Sequence, residues 1–184
     1  MAEVAATAGP LATEADLLRM PDDGYKYELV DGEIRMSPGG ARHGQIGVRL
    51  SAALHAFVSE RRLGHVFESS TGFRLPGGNV RSPDVCFVQA ARFENDRVPE
   101  GFPDLAPDLV VEVLSPNDSP RHVLDKVGEY LQAGTRLVWV IDPKRGRAAA
   151  YRSLTAVREL RPEDALDGED VVPGFTVRLA ELLK

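Results

Sequence analysis

The stretch LVVEVLSP, residues 109–116, decides the fold. Leu109 to Leu114 is short, rich in valine and nearly all apolar, which is typical of an interior strand covered on both faces. Ser119 can cap the helix that follows, and Gly134 ends it. A second apolar strand, Arg136 to Ile141, comes next. The order strand, helix, strand predicts a βαβ unit whose two strands are parallel.

Glu112 is a carboxylate set among the valines of this strand. A buried bare charge is costly, so some partner must compensate it. Side chains alternate along a strand, so Glu112 points from one face into a covered layer. Lys126 borders the apolar face of the next helix, three residues after Val123, and can lie over that same face. An ion pair between Glu112 and Lys126 is therefore one outcome, and a shared metal ion is another.

Asp84 is a second carboxylate at the start of a strand. Pro83 stiffens the chain before it, and the candidate strand runs from Val80 to Val88. Mg²⁺ typically takes one or two protein carboxylates and keeps several waters. A nearby ammonium can orient the attacking water and offset phosphate charge. Asp84, Glu112 and Lys126 therefore predict a phosphodiester-hydrolysis site with Mg²⁺ or Mn²⁺, unless backbone N–H groups alone satisfy Asp84.

A β-hairpin and a long helix are predicted upstream. Tyr25 to Val30 and Glu33 to Ser37 flank Asp31-Gly32, a strong two-residue turn signal. Ala41 to Leu63 is expected to be a helix ended by Gly64.

Two further titratable residues could join the site. Glu28 lies within the first strand of the hairpin, where a solvent-facing position is the alternative. His43 lies on the buried stripe of the long helix, where a hydrogen-bonded core histidine is the alternative.

The composition is that of a soluble globular protein, with 184 residues and a net charge of −6. We expect one domain over residues 1–184, with residues 1–12 as a disordered lead-in. No apolar run approaches the roughly 20 residues that span a bilayer. The single cysteine, Cys86, cannot form an internal disulfide, which favours a cytoplasmic location.

The acidic balance argues against a nucleic-acid packaging protein, but it allows a nuclease with a local basic groove. Solvated surface charge is the alternative for each basic cluster. The candidates for such a groove are Arg61-Arg62, Arg74, Arg81 and Lys144-Arg145-Arg147.

Several short motifs, in this order, resemble the Uma2 family of restriction-endonuclease-like proteins. The resemblance covers about Tyr25 to Tyr151. It is carried by YELVDGE at 27–33, His43, SPDV at 82–85, VEVLSP at 111–116, Lys126 with Tyr130, Ala133-Gly134 and WVIDP at 139–143.

The resemblance implies an α/β fold of the PD-(D/E)xK nuclease superfamily, with a restriction-endonuclease-like core. We expect a mixed central sheet flanked by helices, with extra β-hairpins. It also implies that Asp84 and Glu112 are metal ligands, that Lys126 is the catalytic lysine and that Glu28 lies near the metal. Leu114 stands where the superfamily usually has its lysine, so the lysine must come from the helix.

The function expected from the sequence is divalent-metal-dependent endonucleolytic hydrolysis of DNA. Metal-activated water would attack the phosphorus, Asp84 and Glu112 would hold the metal, and Lys126 would position water or phosphate. The first alternative is a catalytically inactive metal- or nucleic-acid-binding module of the same fold. The second is a structural ion pair with a partner-binding surface. A homodimer is consistent with duplex cleavage, and no membrane association is expected.

Overall fold

A computed structural model describes residues 11–37, 39–116 and 118–184. The first ten residues of the predicted lead-in lie outside these ranges. The helices are α1 (Glu14–Leu17), α2 (Ala41–Arg61), α3 (Pro120–Gln132) and α4 (Leu179–Leu182). The strands are β1 (Lys26–Val30), β2 (Glu33–Ser37), β3 (Gly64–Glu68), β4 (Phe73–Arg74), β5 (Val80–Arg81), β6 (Val85–Gln89), β7 (Leu109–Val113), β8 (Leu137–Asp142), β9 (Arg147–Tyr151), β10 (Val157–Leu160), β11 (Ala165–Asp167) and β12 (Thr176–Arg178).

A six-stranded mixed sheet forms the centre of the fold, in the order β10-β9-β8-β7-β6-β3. β7 and β8 are parallel, in a register that pairs Leu109 with Leu137 and Val113 with Ile141. The other neighbouring strands of this sheet are antiparallel. The predicted βαβ unit is confirmed, because β7, α3 and β8 follow one another and α3 supplies the crossover between the parallel strands.

The two faces of the sheet carry different helices. Val111 on one face of β7 packs in a core with Ile46 of α2. Val110, on the opposite face, packs in a second core with Val127 of α3. Alternation along β7 therefore sends successive side chains into two covered layers, and the predicted α/β fold with flanking helices is confirmed.

A second, smaller sheet has the order β2-β1-β5-β4 and contains the predicted hairpin. Asp31 and Gly32 both have positive φ, at 53° and 76°. That conformation fits a two-residue hairpin turn whose twist matches the flanking strands. The hairpin places β1 beside β5, where Leu29 pairs with Val80.

The predicted strand Val80 to Val88 is wrong as a single element. Its first part is β5, which pairs with the hairpin, and its second part is β6, which pairs with β7. Pro83 lies between the two and has no N–H to donate to a ladder, so the chain can change sheets there. Asp84 follows at the junction of the two sheets.

The predicted end of α2 at Gly64 is also wrong. The helix ends at Arg61, and Arg62 takes the left-handed conformation with φ 53°. Gly64 instead begins β3, where a Cβ would lie 2.1 Å from the backbone oxygen of Val88. Glycine is required there by the close approach of two strands and not by the helix terminus.

Candidate active site

A cavity of about 180 Å³ opens where the hairpin, the central sheet, α2 and α3 meet. All five side chains predicted for the site line it, together with Lys26, Arg35 and other residues. The five are Glu28, His43, Asp84, Glu112 and Lys126.

The antiparallel pairing of β6 with β7 brings the two predicted metal ligands together. Val85 pairs with Val111, so Asp84 precedes that pair on its strand and Glu112 follows it on the other. The backbone N–H of Asp84 donates to the carbonyl of Val111 at 3.1 Å, and the N–H of Val113 donates to Oδ2 of Asp84 at 2.8 Å. These contacts hold Asp84 against the segment that carries Glu112, and both carboxylates line the cavity.

Asp84 is buried and its carboxylate has three hydrogen-bond donors. Lys26 Nζ donates to Oδ1 at 2.8 Å, and His43 Nε2 and the backbone N–H of Val113 donate to Oδ2 at 2.9 and 2.8 Å. Burial alone would raise the pKa of Asp84. The His43 hydrogen bond and the Lys26 charge outweigh it and hold the pKa well below its usual range. Backbone groups therefore satisfy only part of this carboxylate.

His43 takes part in this arrangement from the first turn of α2. Its hydrogen bond to Asp84 raises its pKa above the ordinary value, against the opposing effect of partial burial. The imidazolium form is thus stabilised next to the carboxylate. His43 lines the cavity and is hydrogen-bonded to Asp84, and its role at the site stays a prediction.

Glu112 is buried and is held by two side chains of α3. Lys126 Nζ lies 2.9 Å from Oε1 and 3.0 Å from Oε2, and the Tyr130 hydroxyl donates to Oε1 at 3.0 Å. Lys126 and Tyr130 are four residues apart and share a helix face. Burial raises the pKa of Glu112, and the Lys126 charge opposes that rise.

Glu28 is buried at 5 % exposure, so the solvent-facing alternative is wrong. Its Oε1 accepts from the backbone N–H of Ser82 at 2.8 Å, and its Oε2 lies 3.3 Å from Arg81. Lys126 Nζ is also 3.3 Å from Oε1. Glu28 thereby joins the hairpin to both the strand junction and α3.

Lys126 stands between two carboxylates, Glu112 and Glu28. Burial alone would lower its pKa, but the negative charges of these two groups outweigh burial and raise it. Lys126 is therefore held as an ammonium, which suits neutralisation of an anion better than proton abstraction.

Four residues of this network were not expected from the sequence. Arg81 was a candidate for a surface groove, but it is buried and bonded to Glu28 and Glu129. Glu129 and Tyr130 of α3 also belong to the network, since Glu129 accepts from Arg81 and Tyr130 donates to Glu112. Lys26 could have been found, since it lies two residues before Glu28 and therefore on the same face of β1.

The donor chemistry of the cavity fits a hard divalent cation. Among the described residues, no three His, Cys, Asp or Glu side chains form a group arranged to hold a metal ion. Mg²⁺, however, commonly uses one or two carboxylates and completes its shell with water. Asp84 and Glu112 would supply such a pair, and each is paired with a lysine, Lys26 and Lys126 respectively.

A wider cleft of about 610 Å³ adjoins the cavity and shares His43, Leu114 and Ser115 with it. Three exposed basic side chains line this cleft: Arg42, Lys144 and Arg145. Arg145 is paired with Asp142 at 3.1 Å.

Other basic residues among the groove candidates contact different parts of the protein. Arg74 binds Glu14, and Arg61 lies over the ring of Phe57. Of the predicted groove candidates, Lys144 and Arg145 are the ones that face the cleft beside the candidate site.

Every helix in the described ranges is too short or too polar to cross a lipid bilayer.

Comparison with known proteins gives a family and a fold. A sequence model of the Uma2 family, described as "Putative restriction endonuclease", matches residues 14–180. A crystal structure described as a putative nuclease belonging to DUF820, from Anabaena variabilis, superposes with a TM-score of 0.80 at 22 % identity. The match covers 93 % of this chain and 97 % of that chain. No curated protein sequence matches.

Proposed function

Because the chain belongs to the Uma2 family, and because its cavity gathers two carboxylates and a lysine, we propose that it is a divalent-metal-dependent endonuclease acting on DNA. The observation that carries the proposal is the presence of Asp84 and Glu112 in one cavity, with Lys126 Nζ 2.9 Å from Glu112. That combination supplies both a cation site and a fixed positive charge beside it.

Asp84 and Glu112 would hold Mg²⁺ or Mn²⁺. When bound, such a cation lowers the pKa of a water molecule and stabilises negative charge on the leaving oxygen. Lys126 stays protonated and offsets the charge of the scissile phosphate. Glu28 and Tyr130 position Lys126 and Glu112, and His43 positions Asp84 by its hydrogen bond to Oδ2.

DNA is the proposed substrate because the basic cleft adjoins the cavity. Arg42, Lys144 and Arg145 can contact phosphates on one side of the reacting group. The net charge of −6 confines favourable contact with a polyanion to such local surfaces.

The test is cleavage of supercoiled plasmid, linear duplex and single-stranded DNA by the full chain with Mg²⁺, Mn²⁺ or EDTA. We expect metal-dependent cutting that Asp84→Asn, Glu112→Gln and Lys126→Ala each reduce at least about 100-fold. Asp125→Asn is the matched control, because its exposed side chain precedes Lys126 on the same helix. Cutting that survives all three substitutions, in variants with a native circular dichroism spectrum, would overturn the proposal.

A catalytically inactive module of the same fold gives a different result. Metal would then raise the melting temperature of the wild-type protein without any cleavage, because a ligand of the folded state stabilises it. The purely structural alternative predicts no metal effect and a large loss of stability in Glu112→Ala.

The homodimer and the cytoplasmic location stay predictions. Sedimentation of the chain with and without a DNA duplex tests the first, since a dimer would supply one active site for each strand.

A further inference from the structure

We propose that Lys26 is a built-in competitor for the metal: its ammonium occupies a ligand position on Asp84 and must leave before a divalent cation binds. This inference rests on the proposed function, since it assigns a role to Lys26 within the same site. It makes Lys26 the residue that sets the cation concentration at which the site fills.

The contact itself suggests competition. Lys26 Nζ lies 2.8 Å from Oδ1 of Asp84, and the Lys26 side chain is only 13 % exposed. The other oxygen, Oδ2, already accepts from His43 and from the Val113 backbone. Oδ1 has Lys26 as its partner among the described residues, so it is the oxygen that a cation would need.

The two lysines of the cavity are held unequally. Lys126 contacts Glu112 through both oxygens and also lies 3.3 Å from Glu28. Lys26 has a single carboxylate contact among the described residues, and it is the first residue of β1. A lysine is a compact charge on a flexible four-carbon stem, so Lys26 can swing away while its backbone stays in the hairpin.

The Lys26 ammonium would also repel a metal ion bound at Asp84. A divalent cation at Asp84 would stand within a few ångströms of the ammonium, and like charges at that range repel strongly in a poorly hydrated cavity. Removing the ammonium therefore removes both a competitor and a repulsion. We expect Lys26→Met to bind the cation about tenfold more tightly than the wild-type chain.

Arg35 provides a matched control. It lines the same cavity and lies opposite Glu28 on the partner strand of the hairpin. Among the described residues it forms an ion pair with Glu33 at 3.4 Å and not with a proposed metal ligand. Arg35→Met removes one positive charge from the cavity without uncovering Asp84, so it measures the general electrostatic effect alone.

The experiment is a calorimetric titration of the full, metal-free chain with Mn²⁺ at constant pH and ionic strength. We expect the affinity order Lys26→Met, then wild type, then Lys26→Arg, because a guanidinium is less strongly hydrated than an ammonium and forms the firmer buried pair with Oδ1 of Asp84. Arg35→Met should stay within about threefold of wild type. Lys26→Arg keeps the charge, so the order can be read even if Lys26→Met loses stability.

The possible failures are distinct. Equal Mn²⁺ affinity of wild type and the Lys26 variants, with binding lost in Asp84→Asn, would overturn the competitor role and leave the proposed site intact. Equal gains of Mn²⁺ affinity in Lys26→Met and Arg35→Met would show a general electrostatic effect. They would also overturn the competitor role of Lys26. Absence of Mn²⁺ binding in every variant would overturn the metal site and the inference together.

Discussion

Burial of charge is the main energetic cost at this site, and neighbouring charges offset it. Glu28, Asp84 and Glu112 are all buried, and each is bonded to at least one cation. A buried pair of this kind adds little net stability, but removing one partner leaves an uncompensated charge. The network therefore contributes little to folding stability, and the proposed binding of a metal ion and a phosphate explains it better.

Lys126→Met tests this argument at one residue. It leaves Glu112 and Glu28 without their shared cation, so we expect the free energy of unfolding to fall by about 3–5 kcal/mol in metal-free buffer. Glu112→Gln should cost less, since a carboxamide can still bond to Lys126 and Tyr130. Urea denaturation measures both.

The double variant Lys126→Met with Glu112→Gln is the control for coupling. We expect it to be more stable than the sum of the single effects predicts, because neither charge is then left unpaired. Strict additivity would mean that the 2.9 Å contact carries no energetic coupling.

At the scale of single elements, local spacing accounts for α3 and its neighbours. Ser119 caps the helix, Gly134 follows its end with φ 106°, and Lys126 reaches Glu112 as the alternation of β7 and the helix period predict. These features depend on contacts between residues close in sequence. Under the proposed function, Lys126 of α3 takes the place of the lysine that Leu114 replaces.

Long-range pairing could not be predicted in the same way. The division of Val80–Val88 into two strands depends on which strands lie alongside, and these come from residues 26–30 and 109–113. Likewise, Lys26 and Asp84 are 58 residues apart and meet only after the hairpin docks on the central sheet. Charge patterns alone cannot select the partner of a lysine at that distance.

Replacement of Gly64 and of Gly47 by alanine should change the free energy of unfolding in opposite directions. A methyl group at Gly64 would meet the Val88 backbone oxygen, so Gly64→Ala should lower the free energy of unfolding by about 2–4 kcal/mol. Gly47 lies inside α2 with open space around its Cβ position, so Gly47→Ala should raise it by about 0.5–1 kcal/mol. Thermal melting of the two variants distinguishes these outcomes; a stabilised Gly64→Ala would contradict the strand contact.

At the scale of the whole molecule, an acidic protein must attract DNA through a restricted surface. The cleft with Arg42, Lys144 and Arg145 adjoins the candidate site, so under the proposed function its charge should dominate DNA affinity.

Arg42→Glu with Lys144→Glu tests the cleft. In a Glu112→Gln background, which should not cut, we expect weaker DNA binding and a smaller salt dependence, with the slope reduced by about 2. The control is Arg97→Glu with Arg158→Glu, which makes the same change of net charge at exposed positions that do not line the two cavities. Fluorescence anisotropy measures the DNA affinity of both double variants. An equal loss of affinity in the two would show that the cleft is not the DNA-binding surface.

Anomalous diffraction from crystals of the full chain grown with Mn²⁺ tests the central claim most directly. The account predicts a manganese peak about 2.0–2.3 Å from carboxylate oxygens of both Asp84 and Glu112, with Lys26 Nζ moved away from Oδ1 of Asp84. Manganese bound elsewhere, or both carboxylates still held by their lysines at saturating Mn²⁺, would contradict it.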